Sequence, residues 1–345
     1  MRFDFVIGNP PYQDEAVGDN KNFNSPIYNL FLDASYTCAD KVEMIHPARF
    51  LFNAGGTPKA WNTKMLNDPH FKIETYERDS TKVFANTDIK GGVCVSYYDK
   101  DKDFGKIGIF LPDPEHMSIY HKVCDTDFVS FNTIINSPVI YKISETLYKE
   151  RPEDKEKLSK GNEYDIRTNV FKLLDDVFVE SIPSDADPKD YLKIYGCKKN
   201  IRVERYVLRK FINDEPLAGK YKVLISEANG KGELGEALAP PFIGEPDSIS
   251  TQSFVPIGAC DTREEAESIL KYIKSKFARL MLGVMKVTQH ASISTWGKVP
   301  LQDFSSSSDI DWTQSVHNID QQLYKKYGLT DEEQTFIESH VKEMD

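Results

Sequence analysis

The stretch Phe3-Asp-Phe-Val-Ile-Gly-Asn-Pro-Pro-Tyr12 decides the fold. Phe3 to Ile7 is a short apolar run with β-branched residues, closed by Gly8 and two prolines. Such a run reads as a buried strand that stops abruptly. In open α/β sheets, ligands bind just outside the carboxyl ends of strands. Asn9-Pro10-Pro11-Tyr12 therefore stands where a site belongs.

The tetrapeptide has a defined chemistry. Asn9 carries an amide oxygen acceptor. A residue before proline is pushed out of the α region, which holds Asn9 and Pro10 extended. Pro10 lacks an N–H but keeps its carbonyl, a second acceptor. Tyr12 adds a flat π-face with a polar tip. Two fixed acceptors beside an aromatic platform match an exocyclic amino group on a planar base.

These residues resemble the catalytic motif of amino-group DNA methyltransferases that use S-adenosylmethionine. Asn-Pro-Pro-Tyr, headed by Asn9 rather than serine, is similar to the adenine-N6 branch. The resemblance implies that Asn9, Pro10, Pro11 and Tyr12 are the catalytic residues. Accepting both N–H bonds would draw the target nitrogen toward sp³, free its lone pair for a methyl group and stabilise the growing positive charge. It also implies a base flipped out of double-stranded DNA and no metal.

Outward from the motif, Gln13 to Ser25 is polar and without periodicity. It reads as a loop, either a lid over the site or a plain connector. Ser25 reads as the N-cap of a helix opened by Pro26, with Ile27, Leu30, Phe31 and Ala34 as its apolar stripe. Lys41 to His46 is a second strand, Thr57 to about Leu66 a helix, and Phe71 to Glu77 and Gly91 to Tyr98 two more strands. This order predicts an α/β, doubly wound sheet whose last strands pair as a hairpin. The resemblance covers about residues 1–105 and is to the γ arrangement of TaqI-like and type IIG restriction–modification enzymes. It implies a partial Rossmann-like methyltransferase sheet over 1–114, whose cofactor loop and first three strands lie upstream. An amino-terminal methyltransferase or nuclease segment, or a subunit, is the expected partner. Phe31 matches a position that touches the cofactor's adenine, and fits a helix core as well. Phe84, in Lys82-Val-Phe-Ala85, matches the aromatic that stacks on the far face of the flipped base. It also suits an anchor for the hairpin.

From about Pro112 the character changes, with Asp113-Pro114-Glu115 as a break. Residues 115–300 read as a mixed α+β target-recognition domain and 301–345 as a C-terminal helical segment. Glu150 to Lys160 is a charge run that reads as solvated surface. Val170 to Leu174 and Tyr221 to Ile225 read as strands. Between Lys189 and Lys222 there are ten Lys/Arg and four Asp/Glu, with five aromatics interleaved. This is either a DNA-facing patch, with Lys198, Lys199, Arg202, Arg205 and Arg209 on phosphates, or a solvated basic face. Gly230-Lys-Gly-Glu-Leu-Gly235 is a literal G-x-G-x-x-G, but Pro240-Pro241 stops any helix it would open, so it reads as a glycine-rich turn. Thr262 to Glu265 is a capping box before an amphipathic helix to about Leu282. His290 has no partner at metal-ligand spacing and reads as a packing or DNA-contact residue. From Asp303 the tail holds ten Asp/Glu and three Lys. It carries two helices, one marked by Val316, Ile319, Leu323 and Tyr327, the other capped by Thr330, which dock on the domain or on a partner.

Composition bounds the rest. A length of 345 residues fits two domains, and a net charge of −11 weighs mildly against nucleic acid unless the charge is unevenly placed. The five cysteines are scattered, without a C-x-x-C. No run approaches the ~20 apolar residues of a membrane span. A reducing cytoplasm is the expected compartment. The expected activity is site-specific adenine-N6 DNA methylation in a restriction–modification system. The alternative is a non-catalytic DNA-recognition subunit or remnant of such an enzyme.

Overall fold

The computed structural model describes residues 2–14, 25–54, 56–85, 87, 89–199, 201–213, 216–230, 233–286 and 292–344. They form two compact units, Met1–Met117 and Ser118–Asp345.

The first unit contains β1 (Phe3–Gly8), α1 (Tyr28–Cys38), β2 (Ala39–Pro47), α2 (Lys59–Asn67), β3 (Phe71–Glu77) and β4 (Val93–Asp99). The sheet order is β1-β2-β4-β3. Only β1 and β2 are parallel, while β4 runs antiparallel to both β2 and β3. Tyr28 and Leu32 of α1 join Trp61, Met65 and Leu66 of α2, with Phe50, Phe71 and Cys94, in one core cluster. Both helices therefore cover one face of the sheet. The doubly wound arrangement expected from the sequence is not found among the described residues of this unit. The cause is the hairpin. A strand that returns antiparallel needs no crossover helix, so nothing is laid on the second face. On that face Phe3, Phe5 and Ile7 remain exposed, Ile7 to 73%.

The orientation of α1 also departs from expectation. Its buried residues are Tyr28, Asn29, Leu32 and Ser35, whereas Leu30 is 60% and Phe31 43% exposed. Tyr28 stacks on His46 at 5.3 Å between centroids and meets Trp61 edge-on at 6.1 Å. The fit of Tyr28 and Leu32 against Phe50, Trp61, Met65 and Phe71 sets the helix rotation. The helix begins after Ile27, without a side-chain cap, because Pro26 is bridged to Gln13. Gly91 and Gly92 precede β4 at φ +89° and +79°. A Cβ on Gly92 would stand 2.3 Å from the Glu77 carbonyl oxygen, so only glycine makes this turn.

Asp113-Pro114-Glu115, expected as a break, opens α3 (Pro114–Cys124) with proline at the first helical position, and the two units divide at Met117 and Ser118. The second unit continues with β5 (Lys142–Ile143), α4 (Glu145–Glu150), α5 (Val170–Leu173), β6 (Tyr191–Lys198), β7 (Ile201–Leu208), β8 (Ile212–Asn213), β9 (Tyr221–Ser226), β10 (Phe242–Gly244), β11 (Ser248–Ser250) and β12 (Phe254–Cys260). The helices α6 (Arg263–Lys274), α7 (Lys276–Gly283), α8 (Val316–Lys326) and α9 (Asp331–His340) close it. Its sheets are β11-β6-β7, β10-β9-β12 and β5-β8. Val170 to Leu174 is helical, not extended, because Val170, Phe171 and Leu174 form one buried helical face. The charge run is not all solvated, since Asp154 is fully buried between Arg151 and Lys157. The long amphipathic helix is two helices. Ser275 is fully buried and its hydroxyl accepts from the Ala278 N–H, which starts α7 afresh.

The C-terminal helices pack within this unit. Buried Asp320 of α8 accepts from the Lys276 and Phe277 N–H groups at the start of α7, at 3.0 and 2.9 Å. Glu333 of α9, in a complete capping box with Thr330, is held by Ser118 and Lys122 at 2.7 Å each. No helix among the described residues is long and apolar enough to cross a membrane.

Candidate active site and nucleic-acid interface

The last rung between β1 and β2 pairs Gly8 with Met44, and the next residue, Asn9, is exposed at the carboxyl end of the strand. Pro10 is buried. The chain then turns into a clamp. The Tyr12 carbonyl accepts from the Ile27 N–H at 3.1 Å, Gln13 bridges Pro26, and the Asp14 N–H donates to the Ser25 carbonyl at 2.9 Å. Residues 15–24, the greater part of the expected loop, lie outside the described residues. The motif is thus fixed between a strand end and the approach to α1.

Tyr12 and Phe84, 72 positions apart in the numbering, come together with ring centroids 6.3 Å apart and planes at 65°. Phe84 sits on a compact turn. Its N–H donates to the Ser80 carbonyl at 2.8 Å, and the buried Ser80 hydroxyl bonds the Thr87 carbonyl and the Ile89 N–H at 2.8 Å each. A flat base sandwiched between two parallel rings needs roughly 7 Å, twice the ~3.5 Å contact distance. The observed edge-to-face contact is closed, and one ring must turn to admit a base. The Tyr12 hydroxyl is buried with no hydrogen-bond partner among the described residues, and burial pushes its pKa up to about 12. It stays protonated at neutral pH.

Beneath the motif lies a buried polar trio that sequence reasoning missed. His46 Nε2 is 2.8 Å from Ser96 Oγ, and its Nδ1 lies 3.2 Å from the Pro47 carbonyl and 3.7 Å from Cys94 Sγ. Burial pulls the His46 pKa down to about 4 and pushes the Cys94 thiol up. The imidazole is therefore neutral and the thiol unreactive at neutral pH. The trio supports the sheet. The signal available in the sequence is weak, one residue on β2 and two on β4, strands whose register only the sheet reveals.

Phe31, expected either to touch a cofactor or to pack in a core, is exposed on the first turn of α1. The glycine turn opens no helix among the described residues. Gly230 and Gly235 adopt φ +59° and +66°. The turn is pinned by a buried Lys286–Glu236 ion pair, with Lys286 also donating to the Asn229 carbonyl at 2.8 Å. Residues 231–232 and His290 lie outside the described residues.

The basic stretch resolves into two classes. Lys193 pairs with Glu204, Arg209 with Asp247, Lys210 with Glu150 and Lys220 with Asp261. Arg205 is buried, donating to the Phe178 carbonyl at 3.0 Å and to Glu180 at 2.8 Å, so its guanidinium faces inward. Lys222 is fully buried and its ammonium is surrounded by five backbone carbonyls, those of Leu217, Ala218, Lys220, Glu245 and Ser248. By contrast Lys198, Lys199 and Arg202 lie exposed at the tip of the β6–β7 hairpin, without a carboxylate partner among the described residues. Arg202 lies over the Phe242 ring, its guanidinium carbon 4.1 Å from the centroid. Of the five cations expected from sequence to meet DNA, these three are exposed without a carboxylate partner among the described residues, and Arg205 and Arg209 are engaged by Glu180 and Asp247.

Comparison with known proteins adds an independent line. Over 96 residues the chain is 31% identical to a protein of Mycoplasma pneumoniae (strain ATCC 29342 / M129 / Subtype 1) described as an uncharacterized adenine-specific methylase. That alignment covers 27% of this chain and 23% of the relative, so the chain spans about a quarter of the curated relative it matches. Among solved structures, the Type IIL restriction-modification enzyme MmeI in complex with DNA aligns over 97% of this chain and 56% of its own, at 9% identity and a TM-score of 0.35. The ATP-dependent Type ISP restriction-modification enzyme LlaBIII bound to DNA aligns over 98% and 29%, at 10% identity and a TM-score of 0.26. Residues 1–84, which contain Asn9 to Tyr12 and end at Phe84, match the Eco57I restriction-modification methylase family.

Proposed function

We propose that this chain carries the amino-group-binding and DNA-recognition parts of a site-specific adenine-N6 DNA methyltransferase of a restriction–modification system, with S-adenosylmethionine as methyl donor. The observation that carries the reading is the meeting of Asn9-Pro10-Pro11-Tyr12, at the end of β1, with Phe84. Asn9 Oδ1 and the Pro10 carbonyl accept the two N–H bonds of the target amino group. Tyr12 and Phe84 part to hold the flipped adenine between them. The acceptors stabilise the positive charge that grows on the nitrogen, and no covalent link to the protein is needed. The cofactor supplies an electrophilic methyl group on a sulfonium. The exposed ring of Phe31 fits its adenine as a flat apolar contact.

An upstream segment or subunit completes the sheet. The free edge of β1 and its exposed Phe3, Phe5 and Ile7 are the features that fit it, because parallel strands are apolar on both faces when both are covered. The test is Asn9→Ala in the assembled enzyme. Methylation, followed by radiolabel transfer to duplex DNA, should fall by at least about a hundredfold, the scale of losing one transition-state hydrogen-bond partner. Specific DNA binding should persist. Full turnover by the variant would end this assignment. The closed Tyr12–Phe84 contact favours one second reading, a recognition subunit that no longer accepts a base. Wild-type chain that binds DNA but never methylates, with the upstream segment supplied, would establish it.

A further inference from the structure

The tip of the β6–β7 hairpin combines two features. It gathers Lys198, Lys199 and Arg202, while five other cations of the same stretch are tied into ion pairs. Among them stands Ile201, 68% exposed. Single exposed aliphatic side chains are ordinary on protein surfaces. One placed where unneutralised cations converge is not, because those cations bring a polyanion against it. In the register of the hairpin Ile201 pairs with Lys198, so the two share a face, and Arg202 pairs with Cys197 on the other. Lys199, at the end of the ribbon, adopts φ +53°. Both sides of the ribbon are anchored. Gly196 is packed so closely by Phe171 that a Cβ there would stand 2.4 Å from its ring, and Phe242, under Arg202, is locked against Tyr195 and Phe254.

We infer that this tip enters the major groove of DNA and that Ile201 reads the 5-methyl group of a thymine. The inference rests on the chain being DNA-binding, as proposed above. Dimensions choose the groove. Two strands ~4.8 Å apart, with side chains, fit an opening ~12 Å wide and not the ~6 Å minor groove. Chemistry chooses the contact. Isoleucine has no polar atom, and the thymine methyl is the one apolar feature on a major-groove base edge. Lys198, Lys199 and Arg202 then meet phosphates on either side and set the register of the ribbon. The anchored ribbon keeps the ordering cost of this contact low.

The test uses the full chain and a randomised duplex library. The pool enriched by the wild-type chain is copied once with thymidine and once with deoxyuridine triphosphate, which removes every thymine methyl. The wild type should bind the uracil copy about fourfold more weakly for each methyl buried, the scale of one apolar carbon. Ile201→Ser should bind both copies alike, with the salt dependence of wild type, and Ile201→Val should keep the discrimination. Equal binding of both copies by wild type, or discrimination that survives in Ile201→Ser, overturns the inference. So does wild-type binding that enriches no sequence. Absence of any salt-dependent DNA binding instead overturns the DNA-binding reading beneath it.

Discussion

His46 shows how a single side chain links burial to pH. Its folded pKa is pulled down from 6.5 to about 4 by burial, so the folded state resists taking the proton that the unfolded chain accepts. The stability this gives is fully present above pH 6.5 and is lost as pH falls toward 4. The full effect is on the order of 3 kcal/mol, at 1.36 kcal/mol per pH unit. The urea midpoint of the first unit's transition should fall between pH 7 and 4.5, and His46→Gln, which keeps a bond to Ser96 but does not titrate, should flatten that fall. Equal pH slopes would show that His46 does not govern it. A second residue acts through hydrogen bonds. Lys222→Met would strip the ammonium from five carbonyls, and a loss of about 3 kcal/mol or more is expected in thermal unfolding. Asn9 and Tyr12 stand out in the sequence because amide, proline and aromatic follow in one fixed order, and Phe84 stands out only through the resemblance carried by Lys82-Val-Phe-Ala85. His46 and Lys222 do not stand out. Their roles depend on pairing and enclosure by distant backbone.

At the scale of elements, strands were easier to read than helix faces. The four strands of the first unit stand within two residues of their expected bounds at nearly every end. Alternation and flanking glycine or proline mark a strand locally. The buried face of α1 was misread because its stripe of Ile27, Leu30, Phe31 and Ala34 is a genuine helical repeat that points outward. Only its partners, His46 on β2 and Trp61 on α2, decide which face turns in. The break between α6 and α7 escaped notice for a related reason: Ser275 is one polar residue in an unbroken apolar rhythm, and its burial makes it a cap. Turn glycines carry more certain consequences. Gly92→Ala sets a Cβ against the Glu77 carbonyl at a positive φ, and a destabilisation of about 1–3 kcal/mol or a failure of β3 and β4 to pair is expected. Gly105→Ala, at φ +77° but with open space around it, should cost less. Equal losses would mean that the close approach is immaterial.

At the scale of the whole molecule, the sheet of the first unit departs furthest from expectation. It is legible in the sequence only as a set of strands, and the doubly wound arrangement is not found among the described residues, where both helices lie on one face. The proposal of an upstream segment makes a calorimetric prediction. The isolated chain should bind S-adenosylmethionine weakly, and addition of the upstream-encoded segment should bring micromolar affinity. Micromolar binding by the monomeric chain alone would show that the cofactor pocket needs nothing further. The charge distribution makes another. Reversing Lys198, Lys199 and Arg202 together should lower the log–log salt slope of DNA binding by ~0.9 for each phosphate no longer neutralised. An unchanged slope would move the DNA-facing surface elsewhere.

The place of β4 has a consequence in time. It lies between β2 and β3, yet it is the last of the four strands in the chain. The contact of Cys94 with His46 joins residues 48 apart, and a loop of that length must close before its pairing returns anything. Until residues 93–99 arrive, β3 has no neighbour and β2 has only β1, and a two-stranded piece is marginal in water. During synthesis, at ~5–20 residues per second, the Asn-Pro-Pro-Tyr segment therefore precedes by several seconds the strand that completes its sheet. For that interval Phe3 to Ile7 has only the marginal pairing with β2, and its exposed apolar side chains are in reach of other nascent chains.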